Sequence, residues 1–276
     1  MLLKETAAMC ELFAVNSEHE IRPNEWLREF FTHSKNNPHG WGMAMFYGSR
    51  AVALEKEPLR ADSSGYLKAR LRQDIHVSVM IAHIREATIG TPDYSNTHPF
   101  VDSDRTGRCW TLAHNGTIFE SPVLRPYINR QEGDTDSERI LCYIIEEVNR
   151  KTALLQRELN ETERCRCMDE IIKTIVPGNK LNLMVYDGEV LYVHTNMADT
   201  LYCCTLNGEA GDAGFTRLFA TVPFPTGTGA KWDAMPFMTL CAYKNGEQIF
   251  VGEPHSYEYH EDPEKMRYLH MMFAGL

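Results

Sequence analysis

Cys10 stands directly after Met9 and opens the apolar run Leu12-Phe13-Ala14-Val15. Were the chain to begin at Cys10, its thiol and a free α-amino group would be carried on one residue. An α-amine titrates near ~7.7–8, so at neutral pH much of it is unprotonated and can take the thiol proton. Nucleophile and general base would then lie within a single residue, with no histidine required. As an interior residue, the same cysteine serves as a small hydrophobe in a first strand.

Four more segments carry residue types suited to such chemistry. In His39-Gly40-Trp41-Gly42 two glycines flank a tryptophan, which permits close backbone approach to a ligand or to a neighbouring strand and makes Trp41 and Gly42 candidate substrate contacts. Arg85 ends the apolar stretch Ala82-His83-Ile84, where a guanidinium fork can hold a carboxylate or join a surface ion pair. In His114-Asn115-Gly116 a side-chain amide and the next backbone N–H can converge on one oxygen, as a tetrahedral acyl intermediate requires; the same pair also favours a tight turn. The carboxylates of Asp134-Thr135-Asp136-Ser137-Glu138 can accept from an ammonium, cap a helix, or do both.

These segments must be positioned by regular elements. Residues 10–15, 41–46, 76–85 and 109–113 read as strands, the last ended by Asn115-Gly116. Pro23 to His33 sets Trp26, Leu27, Phe30 and Phe31 on one helical stripe. A second stripe, Ile140, Leu141, Ile144, Ile145 and Val148, follows the acidic segment, and a third, Met168, Ile171, Ile172 and Ile175, stops before Pro177-Gly178. Residues 181–187 and 190–194 flank Asp187-Gly188, while 237–243 and 248–251 flank Asn245-Gly246, so two hairpins are expected. Strands, then helices, then strands predict an α+β layered domain in which two helices cover one face of a sheet drawn from both halves of the chain.

Composition narrows the partners. The 276 residues carry a formal charge of −10, which argues against nucleic acid or an anionic membrane, both of which demand a basic face. No apolar stretch approaches the ~18–20 residues of a membrane span, and the first eight residues are too short and polar for a secretory signal. Eight cysteines without framework spacing read as reduced thiols of a cytoplasmic protein. Cys165-Arg166-Cys167 and Cys203-Cys204 have the wrong separation for a zinc knuckle, and no metal or cofactor is assigned.

Taken in order, Cys10, His39-Gly40-Trp41-Gly42, Ala82-His83-Ile84-Arg85, Thr97-His98-Pro99-Phe100, Ala113-His114-Asn115-Gly116 and Asp134-Thr135-Asp136-Ser137-Glu138 resemble the class II glutamine amidotransferases, N-terminal nucleophile hydrolases, especially their small stand-alone members. The resemblance is sharp to Glu138 and diffuse beyond it. It implies an αββα sandwich, two antiparallel sheets between helix layers. It further implies Cys10 as nucleophile with its own α-amine as base, and Asn115 with Gly116 as oxyanion donors. Arg85 would hold the α-carboxylate of glutamine, with Thr88 nearby, and Asp136 rather than Asp134 its α-ammonium.

The implied activity is cleavage of a γ-glutamyl amide, glutamine or a γ-glutamyl metabolite, through a Cys10 thioester. A glutaminase subunit feeding ammonia to a separate synthetase, or a silent protein that keeps the glutamine pocket, would share these residues. The chain departs from the family pattern at its start, where the nucleophile normally follows the initiator methionine. Residues 1–9 are therefore expected to be an extension or propeptide ahead of one domain at 10–276. A form retaining them is expected to be inactive, with residues 1–9 over the substrate site.

Overall fold

A computed structural model of the chain describes residues 10–47, 51–87, 90–119, 121–207, 215–262 and 264–265. The first half runs β1 (Glu11–Ile21), α1 (Asn24–Thr32), β2 (Trp41–Phe46), β3 (Val52–Glu57), α2 (Gly65–Arg70), β4 (Val77–Ile84), β5 (Phe100–Ser103), β6 (Cys109–Thr117) and α3 (Asp136–Leu155). The second half runs α4 (Glu161–Ile175), β7 (Lys180–Tyr186), β8 (Leu191–His194), β9 (Tyr202–Asn207), β10 (Phe215–Ala220), β11 (Trp232–Ala234), β12 (Cys241–Lys244) and β13 (Glu247–Val251).

Two antiparallel sheets result, one ordered β11-β9-β10-β1-β4-β2-β3 and the other β13-β12-β8-β7-β6-β5. Strand periodicity divides the apolar residues among three layers. On β1, Leu12 and Ala14 face the core between the sheets, while Phe13 and Val15 join Leu27 and Phe30 of α1 outside the first sheet. On β7, Met184 and Tyr186 face the inter-sheet core, while Leu181, Leu183 and Val185 meet the stripes of α3 and α4. The expected α+β sandwich, with two helices over a sheet of mixed origin, is therefore the observed architecture.

Local signals explain where the helices start. Asn160 accepts from the Glu163 amide while the Glu163 carboxylate accepts from the Asn160 amide, a capping box that opens α4. Asp136 and Glu138 place acidic groups in the first turn of α3, where the helix dipole favours them. Asp187 ties α4 to the β7–β8 turn: its Oδ1 accepts from the Glu189 and Val190 amides, and its Oδ2 from Arg164 Nε (2.6 Å) and Tyr192 Oη (2.8 Å).

Two differences from the expected boundaries have a local cause, besides the extension of β1 from the expected residue 15 to Ile21. Asn115 and Gly116 do not turn; β6 runs through them to Thr117, because β7 supplies partners, Asn182 for Asn115 and Leu181 for Gly116. The strand expected from residue 237 begins at Cys241, since Met238 adopts a positive φ of 55° just before it.

Candidate active site

Register sets the first juxtaposition. Glu11 pairs with Ile84 across β1 and β4, so Cys10, just before β1, and Arg85, just after β4, emerge side by side at one end of these two central strands. The Cys10 Sγ lies 3.1 Å from the Glu86 carbonyl oxygen and 3.2 Å from the Glu86 amide nitrogen. Thr221 holds the strand in place by accepting the Leu12 amide on its hydroxyl (3.0 Å) and donating its own amide to the Leu12 carbonyl (3.1 Å). Burial pushes the Cys10 thiol up to about 11, against the opposing pull of the Glu86 amide and the cations Arg85 and Lys180. At neutral pH such a thiol is protonated and needs a base before it can attack.

The Arg85 residue is 2 % exposed, and its guanidinium donates from Nη1 to the Thr91 carbonyl and from Nη2 to the Gly90 carbonyl, both at 3.0 Å. Its charge is felt by both Cys10 and Asp136, which offset the cost of burying it. The loop it grips is seated by two small features. Gly42 lies against the His98 carbonyl, where a Cβ would overlap the oxygen, and Lys56 Nζ donates to the Thr97 carbonyl (2.7 Å). Asn96 then links this loop to the acidic segment, donating to the Thr91 carbonyl (3.2 Å) and accepting from the Asp134 amide (2.6 Å).

The second sheet brings up the remaining groups. Leu181 donates its N–H to Asn196 Oδ1 (2.8 Å) and accepts His194 Nδ1 on its carbonyl (2.9 Å), both on the β8 side. In an antiparallel ladder the facing residue of such a pair turns its peptide groups to the opposite flank, so the Gly116 N–H points away from β7. Pairing with β5 reaches only to Leu112, so β5 does not cover that flank. Two residues on, Ile118 directs its N–H the same way and donates to Asp136 Oδ2 (2.6 Å). The Gly116 donor and the Asp136 carboxylate thus share one flank of β6.

His114 settles which Asp136 oxygen stays available. Its Nε2 donates to the Lys180 carbonyl (3.1 Å), so its Nδ1 is an acceptor and takes the Ser137 hydroxyl proton (2.9 Å). The single Ser137 hydrogen is thereby directed at His114, and Asp136 Oδ1, 3.4 Å from the Ser137 oxygen, has lone pairs for another donor. Asp136 is 7 % exposed, whereas Asp134 is exposed. Asn115, on the inter-sheet face of β6, is 4 % exposed.

The sequence matches the family of class II glutamine amidotransferases over residues 9–208. The chain belongs to that family. Over 269 residues, this amidotransferase is 27% identical to an uncharacterized protein of Methanocaldococcus jannaschii, spanning 88% of its own length and 71% of that protein. Its fold is similar to the crystal structure of a predicted glutamine amidotransferase from Pseudomonas aeruginosa, with a TM-score of 0.62 at 20% identity, covering 87% of this chain and all of that one. It is also similar to the glutamine phosphoribosylpyrophosphate amidotransferase of Bacillus subtilis, with a TM-score of 0.59 at 14% identity, covering 87% and 48%.

Within this amidotransferase the candidates separate into two groups. Cys10 adjoins Arg85, Arg85 is within electrostatic reach of Asp136, and Asp136 shares a flank of β6 with the Gly116 N–H, next to Asn115. Trp41 instead has its ring wholly buried in the outer core, edge-on to Phe31 at 5.7 Å, with Nε1 donating to Glu57 Oε2 (3.2 Å), and Gly42 serves loop packing. Thr88 and residues 1–9 lie outside the described residues. The fold adds Glu86, Asn96 and Lys180, none of which stood out in the sequence. Lys180 had no local signal beyond its place after Pro177-Gly178, and Asn96 only its place before Thr97-His98-Pro99.

Proposed function

We propose that this amidotransferase cleaves a γ-glutamyl amide through a thioester on Cys10, once Cys10 is the N-terminal residue. The observation that carries the reading is the adjacency of Cys10 and Arg85 at the end of two central strands, with Arg85 within electrostatic reach of Asp136. Arg85 and the Asp136 Oδ1 oxygen are suited to the carboxylate and ammonium of a glutamyl group. The α-amine of Cys10, near ~7.7–8, takes the thiol proton, and sulfur attacks the γ-carbonyl. The Asn115 amide and the Gly116 N–H receive the oxyanion. The C–N bond then breaks, the amine leaves with the proton returned by the α-ammonium, and water hydrolyses the thioester. Among the described residues no helix is long and apolar enough to cross a membrane.

The test compares protein beginning at Cys10 with protein retaining residues 1–9. Glutamate release from glutamine or a γ-glutamyl amide, with a glutamine-analogue electrophile labelling Cys10, is expected only from the former. Equal activity of both forms would overturn the role of the amine. Absence of labelling and turnover in both would favour a silent glutamine-pocket protein. Release of ammonia from glutamine only when a synthetase is added would favour an ammonia-supplying subunit.

A further inference from the structure

The last strands of the two sheets, β3 of the first and β5 of the second, both line a cavity of about 310 Å³ that the scheme above does not use. Leu54 of β3, Phe100 of β5 and Leu141 of α3 give it apolar walls, and Tyr94 adds an aromatic ring. Small-ligand sites span about 300–1,000 Å³ and combine such walls with a few polar groups, so the cavity has the size and make-up of one for a small metabolite.

Five charged side chains line it, two cations and three anions. Arg130 is turned to Glu146, to which its Nη1 donates (2.5 Å), and Asp102 Oδ1 accepts the Ser103 amide (2.7 Å). Lys56 lies deeper. Its Nζ donates to the Thr97 carbonyl (2.7 Å) and sits over the Tyr94 ring at 4.6 Å, and the Thr97 bond uses one of the three ammonium protons. Burial lowers this ammonium to about 8, against the opposing pull of Glu138 and Glu132, so it is still charged at neutral pH. Glu138 accepts the Glu132 amide on one oxygen (2.7 Å) and the Gly133 amide on the other (2.9 Å), and each carboxylate oxygen has a second lone pair. The Glu132 side chain is exposed beside it.

This cavity and the glutamyl site share two segments and no lining side chain. In residues 90–97, the Gly90 and Thr91 carbonyls hold Arg85, whereas Tyr94 lines the cavity and Thr97 holds Lys56. In residues 132–138, Asp136 belongs to the glutamyl site, whereas Glu132 and Glu138 belong to the cavity.

We propose that the cavity is a second small-molecule site, for a zwitterionic amino acid with an apolar side chain. Its carboxylate would meet Lys56, its ammonium Glu132 and Glu138, and its side chain Leu54, Phe100 and Leu141. A simple carboxylic acid would set its charge beside two carboxylates, and a simple amine would leave the Lys56 ammonium desolvated without a counter-charge. A molecule carrying both charges avoids each cost.

The experiment titrates the protein at pH 7 with L-leucine, leucinamide and 4-methylpentanoate by isothermal titration calorimetry. Leucinamide lacks the carboxylate and 4-methylpentanoate the ammonium, so each should bind at least about tenfold more weakly than leucine, the loss of one charge-assisted hydrogen bond. Because Arg85 and Asp136 are also suited to an α-amino acid, variants locate the binding. Lys56→Met and Glu132→Gln should each weaken leucine by about tenfold or more, while Asp136→Asn leaves it unchanged. Glu132→Gln alters an exposed side chain and keeps its size, so it decides the matter even where Lys56→Met disturbs the Thr97 loop. Leucine binding that survives Glu132→Gln, or that is lost in Asp136→Asn, overturns the site. So does the absence of saturable leucine binding, or equal affinity for either singly charged analogue.

Discussion

The sulfur of Cys10 lies between the two peptide groups of Glu86, 3.1 Å from its carbonyl oxygen and 3.2 Å from its amide nitrogen. The thiol can donate to the former, whereas a thiolate is stabilised only by the latter. Burial wins, holding the thiol up to about 11 when no amine is beside it. The alkylation rate of Cys10 by iodoacetamide should therefore rise about tenfold per pH unit from 7 to 10 in protein with an acylated Cys10 nitrogen, because the thiolate is the reactive form. With a free amine the rise should level off near ~8, where the amine itself titrates. Rate profiles with residue-level mass spectrometry test this, and superimposable profiles would remove the amine from the activation step.

Asn115 and Asp136 should fail differently. Asn115→Ala removes one oxyanion donor and is expected to lower kcat by about 10²–10³-fold with KM little changed. Asp136→Asn keeps an oxygen for the Ile118 amide, so the start of α3 survives, but it loses the charge that would meet the substrate ammonium. KM should rise by about tenfold to a hundredfold. Steady-state kinetics beside thermal melts separate the two, and a KM effect in Asn115→Ala alone would reassign it to binding.

Gly116 is required by contact rather than by backbone angle. A Cβ there would overlap the Lys180 carbonyl oxygen and His114 Nε2, and neither can move without parting β6 from β7. Gly116→Ala is expected to cost about 1–3 kcal/mol or more of stability. Gly65→Ala at the start of α2, where a Cβ meets nothing within 4 Å, should be neutral or slightly stabilising. Chemical denaturation of both variants provides the comparison, and equal effects would contradict the tight packing of the β6–β7 pair.

Acid should unfold the protein through its histidines. Burial pushes His83 and His194 down to about 3 and lowers His98 and His114 as well, so these imidazoles stay neutral in the fold. The unfolded chain binds their protons from near 6.5 downward while the folded chain does not. Stability should therefore be fully present above 6.5 and fall as pH drops toward 3, by up to about 1.4 kcal/mol per pH unit for each such histidine. Denaturation at pH 7.5, 6, 5 and 4 checks the slope. His83→Phe, which also keeps a ring stacked on His98 at 4.2 Å, should flatten it by about one proton.

The sequence by itself determined the layers and proposed most members of the candidate site. The stripes of α1, α3 and α4 and the alternation of β1 and β7 follow from local periods of 3.6 and 2, and Cys10, Arg85, Asn115, Gly116 and Asp136 stand in short motifs legible without a structure. What remained illegible depends on partners distant in the chain. Asn115-Gly116 has the composition of a turn, yet β7, more than sixty residues later, extends it as strand. Trp41 looked like a ligand contact until the packing of α1 enclosed its ring. The anchoring of Asp136 turns on Ile118, that of Asn96 on Thr91 and Asp134, and the position of Lys180 on its pairing with Thr117. Register and burial are properties of the assembled sheets, so only the tertiary structure could decide which of these polar side chains face one another.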